Sequence, residues 1–113
     1  MYVVLEGDVA VGVVAGGRAA DAAYDWPLLR GDAQWTGVAR GTLAEKLEVL
    51  WKFAVPGTAF DSTPAIVDGV VYLGDLDGRV YALDLSTGEK RWEVKFEDGF
   101  IAGTAVKDGA LYM

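Results

Sequence analysis

Short apolar runs alternate with turn residues through the second half of the chain. Each run is rich in valine, leucine, isoleucine or aromatic residues and is bounded by Gly, Asp, Ser or Pro, which is typical of β-strands. The predicted strands are residues 50–55, 63–67, 70–75, 79–85, 90–96, 103–107 and 110–113. The predicted turns are Asp68-Gly69, Asp77-Gly78, Thr87-Gly88 and Asp108-Gly109. The pattern therefore predicts an all-β fold.

The central pair of strands, within residues 70–92, is largely apolar on both faces. Its Asp77-Gly78 dipeptide predicts a two-residue type I′ turn, in which both central residues have positive φ. This turn would place Gly74 opposite Tyr81. Because a strand pair that is apolar on both faces must be covered on both faces, we expect it to lie inside a stack of sheets.

Residues 51–113 contain an internal repeat. Residues 51–73 align with residues 92–113 if one position is left out. The two copies begin at Trp51 and Trp92, which are 41 residues apart. Four short strands in a repeat of this length are typical of one blade of a β-propeller.

A fixed series of residues ends the first copy of the repeat. It has the form A-x-D-x-x-T-G-x-x-x-W and follows the form Y-x-G-x-x-x-G. This series resembles the tryptophan-docking repeat of the pyrroloquinoline-quinone-type (PQQ-like) β-propellers. The resemblance is close over residues 51–113 and loose over residues 26–50. The residues of the structural repeat motif are Trp51, Tyr72, Gly74, Gly78, Ala82, Asp84, Thr87, Gly88 and Trp92.

The end of this motif has clear structural roles. Gly88 can adopt the positive φ that a tight Thr87-Gly88 turn requires. The side chains of Asp84 and Thr87 can accept hydrogen bonds from backbone N–H groups in that turn. Trp92 is a large apolar side chain with one N–H donor, and the resemblance implies that it packs across the gap to a neighbouring blade.

The resemblance also implies the architecture. We expect a β-propeller segment of four-stranded antiparallel blades, from the N-terminal portion of a longer propeller. It would be incomplete, with one nearly full blade at residues 63–96 and parts of its neighbours. Unpaired apolar strands are templates for association, so we expect the missing blades, or self-association of the chain, to cover them.

Two interpretations remain open for residues 1–23. Their apolar stretch and small residues fit the remnant of a signal peptide. Alternatively, residues 2–5 and 9–14 form an extra hairpin around a turn at residues 6–8. The resemblance favours the signal peptide slightly, because many such propellers are secreted.

Residues 24–50 are predicted to be a lead-in loop segment before the repeats. We expect Trp26 and Trp35 to pack on the propeller, with a short helical turn at residues 43–47. Arg30 and Asp32 are the candidates for a ligand contact in this loop.

Charge and missing residue types exclude several kinds of site. The net charge is −7 and there is no basic block, so nucleic acid is not an expected partner. The chain has no cysteine and no histidine, which excludes disulfides, thiolate zinc sites and Cys- or His-based catalysis. No apolar run reaches the roughly 18 residues typical of a membrane-spanning helix.

The resemblance raises the question of a quinone cofactor. In the quinoprotein dehydrogenases, the cofactor lies on the propeller axis between a tryptophan and a disulfide of adjacent cysteines. A calcium ion there is held by Glu, Asn and Asp. This chain has neither Cys nor Asn, and Arg79 takes the third ligand position of the calcium-loop pattern that begins at Asp75 and Asp77. We therefore assign no catalytic, cofactor-binding or metal-binding residue and expect no cofactor in this chain.

Three functions remain. The first is a non-catalytic scaffold that binds a protein or a carbohydrate ligand in the periplasm or outside the cell. The second is part of a PQQ- and calcium-dependent oxidoreductase whose active-site residues lie outside this chain. The third is a propeller attached to an unrelated catalytic domain, such as a kinase. The sequence favours the first, because its acidic residues fall where turns need them.

Overall fold

The computed structural model describes residues 2–14, 25–39 and 48–113, and in these residues the regular structure is entirely β. The first antiparallel sheet contains β1 (Tyr2–Glu6), β2 (Val9–Val14) and β3 (Glu48–Ala54). The second contains β4 (Ala65–Val67), β5 (Val70–Gly74), β6 (Arg79–Asp84) and β7 (Lys90–Lys95). The third contains β8 (Ala105–Lys107) and β9 (Ala110–Tyr112). None of the described residues forms a helix long and apolar enough to cross a membrane.

The strands predicted from the apolar runs all form, and their ends agree with the prediction within two residues. Near the start of the chain, the structure has the hairpin, one of the two interpretations of residues 1–23. Its strands β1 and β2 pair with each other, and β2 pairs with β3. Residues 15–23 and the helical turn predicted at residues 43–47 lie outside the described residues.

The turn between β5 and β6 corrects the predicted register by one residue. Tyr81 lies opposite Leu73, not opposite Gly74. Gly78 has a φ of 87°, whereas Asp77 is not among the residues with positive φ, so the turn is not type I′. The Gly78 N–H donates to the carbonyl of Asp75 at 3.2 Å, which gives a longer turn closed by a glycine.

Asp75 explains why the longer turn is preferred. One oxygen of its carboxylate accepts the backbone N–H of Arg79 at 2.8 Å, and the other accepts the Tyr81 hydroxyl at 2.7 Å. Asp75 is fully buried, at 0% exposure, and its carboxylate is satisfied within the turn. Burial, followed by the hydrogen bond to Asp75, raises the pKa of the Tyr81 hydroxyl above its ordinary range.

The main core lies between the first and second sheets. One face of the second sheet is buried there, and its aromatic centre is Tyr81. The ring of Tyr81 meets Phe53 of β3 and Phe60 edge to face, with centroid distances of 5.2 Å and 6.0 Å. The fully buried side chains around it include Val71, Leu73, Leu83 and Leu85. This face of the β5–β6 pair is covered, as the sequence predicted.

The loop after β7 is tied to the turn between β5 and β6. Backbone N–H groups of Phe96 and Phe100 donate to the carbonyls of Gly78 and Asp75, at 2.7 Å and 2.9 Å. The approach at Gly78 is so close that a Cβ there would lie 2.6 Å from the carbonyl oxygens of Phe96 and Asp98. Position 78 therefore requires glycine for two reasons: its φ is positive, and the carbonyl oxygens of Phe96 and Asp98 leave no room for a Cβ.

Replacing Gly78 by alanine should therefore cost more than the φ strain alone. We expect Gly57→Ala, at a φ of 90° with no atom near the added Cβ, to lose about 1–2 kcal/mol. Gly78→Ala should lose roughly 1–3 kcal/mol more, since backbone atoms must shift. Urea unfolding of the two variants measures the difference, and equal midpoints would contradict the close approach.

Candidate functional site

Trp51 joins the first sheet to the second. Its side chain, in β3, is 7% exposed, and the indole Nε1–H donates to the carbonyl of Leu85 at 2.8 Å. The ring lies directly on Gly88, where a Cβ would come within 2.5 Å of its Cδ2 atom. Trp51 therefore packs on the turn between β6 and β7, and only glycine leaves room for it at position 88.

Asp84 shapes the turn on which Trp51 lies. Its Oδ1 atom accepts the backbone N–H groups of Ser86 and Thr87, at 2.9 Å and 3.1 Å. Gly88 has a φ of 72°, and its N–H donates to the carbonyl of Asp84 at 2.8 Å. Arg91 donates to Oδ2 at 2.8 Å, and this hydrogen bond holds the pKa of the Asp84 carboxyl below its ordinary value. The hydrogen bonds expected from the sequence at Asp84 are present.

Trp92 occupies the position in β7 that Trp51 occupies in β3, but its surroundings differ. It lies opposite Ala82 and near Tyr72, with a centroid distance of 6.0 Å, yet it remains 40% exposed. It lines a groove of about 460 Å³ between the second and third sheets, together with Val80 and Val94. Trp92 thus lies beside the third sheet but remains partly exposed, and its packing across the gap to a neighbouring blade stays a prediction.

Two further motif residues, Ala82 and Gly74, lie at closely packed positions of the second sheet. Ala82 is fully buried, and Gly74 allows close packing, since a Cβ there would lie 2.6 Å from the Met113 side chain and 2.8 Å from the Cβ of Phe100. Ser62, which the sequence analysis did not single out, donates its hydroxyl to the Gly74 carbonyl at 2.9 Å. A lone serine in a loop gave no signal for this contact, because it depends on the tertiary fold.

The lead-in segment gives a mixed outcome. Trp26 packs against the main core, as predicted. Trp35 does not pack on the sheets: it is 56% exposed and has a φ of 58°. Of the candidate ligand contacts, Arg30 is exposed, and Asp32 accepts hydrogen bonds from both the backbone N–H and the hydroxyl of Thr36. The predicted packing of Trp35 was wrong because the exposure of a loop side chain depends on where the loop turns.

The acidic side chains are dispersed. Asp75 is bonded to Tyr81 and the Arg79 backbone, Asp84 to Arg91 and its own turn, and Asp77 lies 3.6 Å from Arg79. Within residues 2–14, 25–39 and 48–113, no group of three or more acidic, His or Cys side chains is arranged to hold a metal ion.

Comparison with known proteins identifies the repeats. A family model of PQQ-like repeats, described as outer membrane protein assembly factor BamB, matches residues 44–113. The chain belongs to this family. It is 28% identical over 87 residues to the outer membrane protein assembly factor BamB of Alteromonas naphthalenivorans, which covers 77% of this chain and 18% of that protein.

Two further proteins are similar to the chain. The chain is 41% identical over 70 residues to the serine/threonine-protein kinase AfsK of Streptomyces griseus, covering 53% of this chain and 9% of the kinase. A europium-containing methanol dehydrogenase superposes with a TM-score of 0.52 at 14% identity, over 91% of this chain and 19% of that one. The chain thus spans less than a fifth of the length of each of these proteins. The structural likeness shows the fold: the three sheets are a β-propeller segment with one four-stranded blade.

The two tryptophans should differ in their contribution to stability. We expect Trp51→Ala to lose about 3–5 kcal/mol, because it empties a buried site, out of a typical total of about 5–15 kcal/mol. Trp92→Ala should lose clearly less, because its side chain is 40% exposed. Urea unfolding compares them, and equal losses would contradict the asymmetry.

Proposed function

We propose that this chain is part of a non-catalytic β-propeller scaffold that binds a protein partner outside the cytoplasm, in the periplasm or the extracellular space. The observation that carries the proposal is that two acidic side chains are hydrogen-bonded within turns. The carboxylates of Asp75 and Asp84 are bonded within turns, to Tyr81, to Arg91 and to backbone N–H groups. Groups bound in this way shape loops and are not poised for acid–base chemistry. The match to a BamB family supports a protein partner and an envelope location.

The residues present do not fit a quinone cofactor or its calcium ion. The chain has no Cys for the disulfide and no Asn for the calcium ligand set that the resemblance implies. Asp75, the first position of the calcium-loop pattern, is buried and satisfied by Tyr81 and Arg79. The oxidoreductase alternative thus depends on residues outside this chain.

A second candidate function is supported by the likeness to AfsK. At 41% identity, the repeats resemble part of a serine/threonine-protein kinase, so the scaffold would serve as the binding region of a signalling protein. The flanking reading frame of the gene distinguishes the candidates. A kinase domain on the same chain supports the second, and its absence together with a secretion signal supports the first.

The scaffold proposal is tested by capture of a partner. Tagged wild-type chain should retain a specific protein from an envelope extract and bind the purified partner saturably, with a defined stoichiometry, in calorimetry. Gly57→Ala, in an open loop, serves as the folded control, and Trp51→Ala as the control with a disrupted sheet contact. The urea transition shows how much of the Trp51→Ala chain is folded under the capture conditions. A partner retained equally by a mostly unfolded Trp51→Ala chain would not depend on the propeller fold and would contradict the proposal.

Mixing the purified chain with pyrroloquinoline quinone and calcium should give no saturable binding and no dye-linked alcohol oxidation. The reason is that the residues present do not fit the quinone or the calcium ion. Calorimetry and a dye-reduction assay measure the two results. Stoichiometric binding, abolished by Asp75→Asn but not by Gly57→Ala, would contradict the non-catalytic assignment.

The chain should also self-associate in isolation. The groove beside Trp92 is bordered by exposed apolar side chains, among them Val94, Phe96 and Met113. Contiguous exposed apolar surface of this kind promotes association. Size-exclusion chromatography with light scattering should show species above 12.0 kDa, and Val94→Lys should reduce them. A single sharp monomer peak would contradict the prediction that this apolar surface drives self-association.

A further inference from the structure

The lead-in segment crosses the edges of two sheets. The backbone of Trp26 forms a two-way bridge with Ile66 of β4: its N–H donates to the Ile66 carbonyl at 2.7 Å, and its carbonyl accepts the Ile66 N–H at 2.9 Å. The carbonyl of the next residue, Pro27, accepts the N–H of Val106 in β8 at 2.7 Å. Because β4 and β8 are edge strands of the second and third sheets, one short peptide is bound to two blades.

The two donors occupy matching places in the internal repeat. When Asp68-Gly69 is aligned with Asp108-Gly109, Ile66 coincides with Val106. Each blade therefore offers the same backbone N–H at its edge, and consecutive carbonyls of the lead-in segment accept them. This is recognition of an extended peptide through main-chain hydrogen bonds, as in strand addition to a sheet edge.

Side chains of the segment add specificity. The Trp26 ring packs against the main core, next to Ile66. Pro27 fixes φ and has no N–H to leave unsatisfied, and it restricts Trp26 to an extended conformation. The carboxylate of Asp25 accepts the N–H of Asp68 at 3.1 Å, at a turn residue with a φ of 50°.

The chain then folds back over the tryptophan. Gly31 has a φ of 85°, and a Cβ there would lie 2.8 Å from the Trp26 ring. Its N–H donates to the carbonyl of Leu28 at 2.8 Å, which closes the turn. Residues 25–31, the strap, thus have an anchor side chain, a proline that restricts the backbone beside it and a closing turn, yet they are not part of the repeat.

We propose that the adjoining edges of β4 and β8 form a binding site for an extended peptide in which an aromatic residue precedes proline, and that the strap occupies this site in cis. The strap blocks the site against other peptides of this chemistry and releases it when Trp26 is displaced. A peptide pre-organised by proline loses little conformational freedom on binding, which favours such a ligand. The proposal deepens the scaffold function and rests on it, because it specifies where a scaffold takes a peptide.

Hydrogen exchange followed by mass spectrometry on the full chain tests the strap. In Trp26→Ala, the amides of Ile66 and Val106 should exchange at least about ten times faster, because loss of the strap frees the two N–H groups that donate to it. The amide of Leu85, which donates to Gly69, should stay protected and reports that the fold is intact. Gly31→Ala should give the same pattern, and Trp35→Ala, at an exposed tryptophan of the same segment, should leave the exchange unchanged. Unchanged exchange in both Trp26→Ala and Gly31→Ala would overturn the proposal.

A synthetic peptide with the sequence of residues 24–33 tests the site itself. Added to the Trp26→Ala chain, it should restore protection of the Ile66 and Val106 amides saturably, whereas the same peptide with alanine in place of tryptophan should not. No restoration, or equal restoration by both peptides, would overturn the peptide site. Because this assay requires no natural partner, its failure is distinguishable from failure of the scaffold proposal, which the capture experiment measures.

Discussion

The contact between Trp51 and the turn at Gly88 joins the first sheet to the second, and several features of the chain are needed for it. The turn must be tight, so Asp84 holds two of its N–H groups. Position 88 must lack a Cβ, because the indole ring lies on it. The Leu85 carbonyl must face the indole ring to accept its N–H. A single side chain of the first sheet therefore requires a particular turn in the second.

The two faces of the second sheet differ in how far they are covered. Its face towards the first sheet is covered and has an aromatic centre at Tyr81. Its face towards the third sheet carries Trp92 at the position equivalent to Trp51, but that ring lines a groove. Equal sequence positions thus reach different degrees of burial, because burial depends on the neighbouring blade and not on the residue itself.

Polar groups in this structure are used to fix turns. The carboxylate of Asp75 lies in a fully buried site and holds the hairpin turn and Tyr81 at once, and that of Asp84 holds the turn beneath Trp51. Such groups are costly to bury unless they are satisfied, and each of them is. These two carboxylates therefore have structural roles in the turns of the repeat.

The sequence by itself determined the strands, the repeat and the family. Alternating apolar runs and Asp-Gly or Thr-Gly turns are local signals, so the strands over residues 50–113 followed from them, and so did the hydrogen bonds of Asp84. The register of the β5–β6 hairpin did not follow, because Asp-Gly permits more than one turn and the buried contacts of Asp75 with Tyr81 and Arg79 selected the longer one. The exposure of Trp92 and Trp35 and the bridge from Trp26 to Ile66 were decided only by the tertiary structure. Each of these depends on which distant segments meet, and a local pattern carries no information about that.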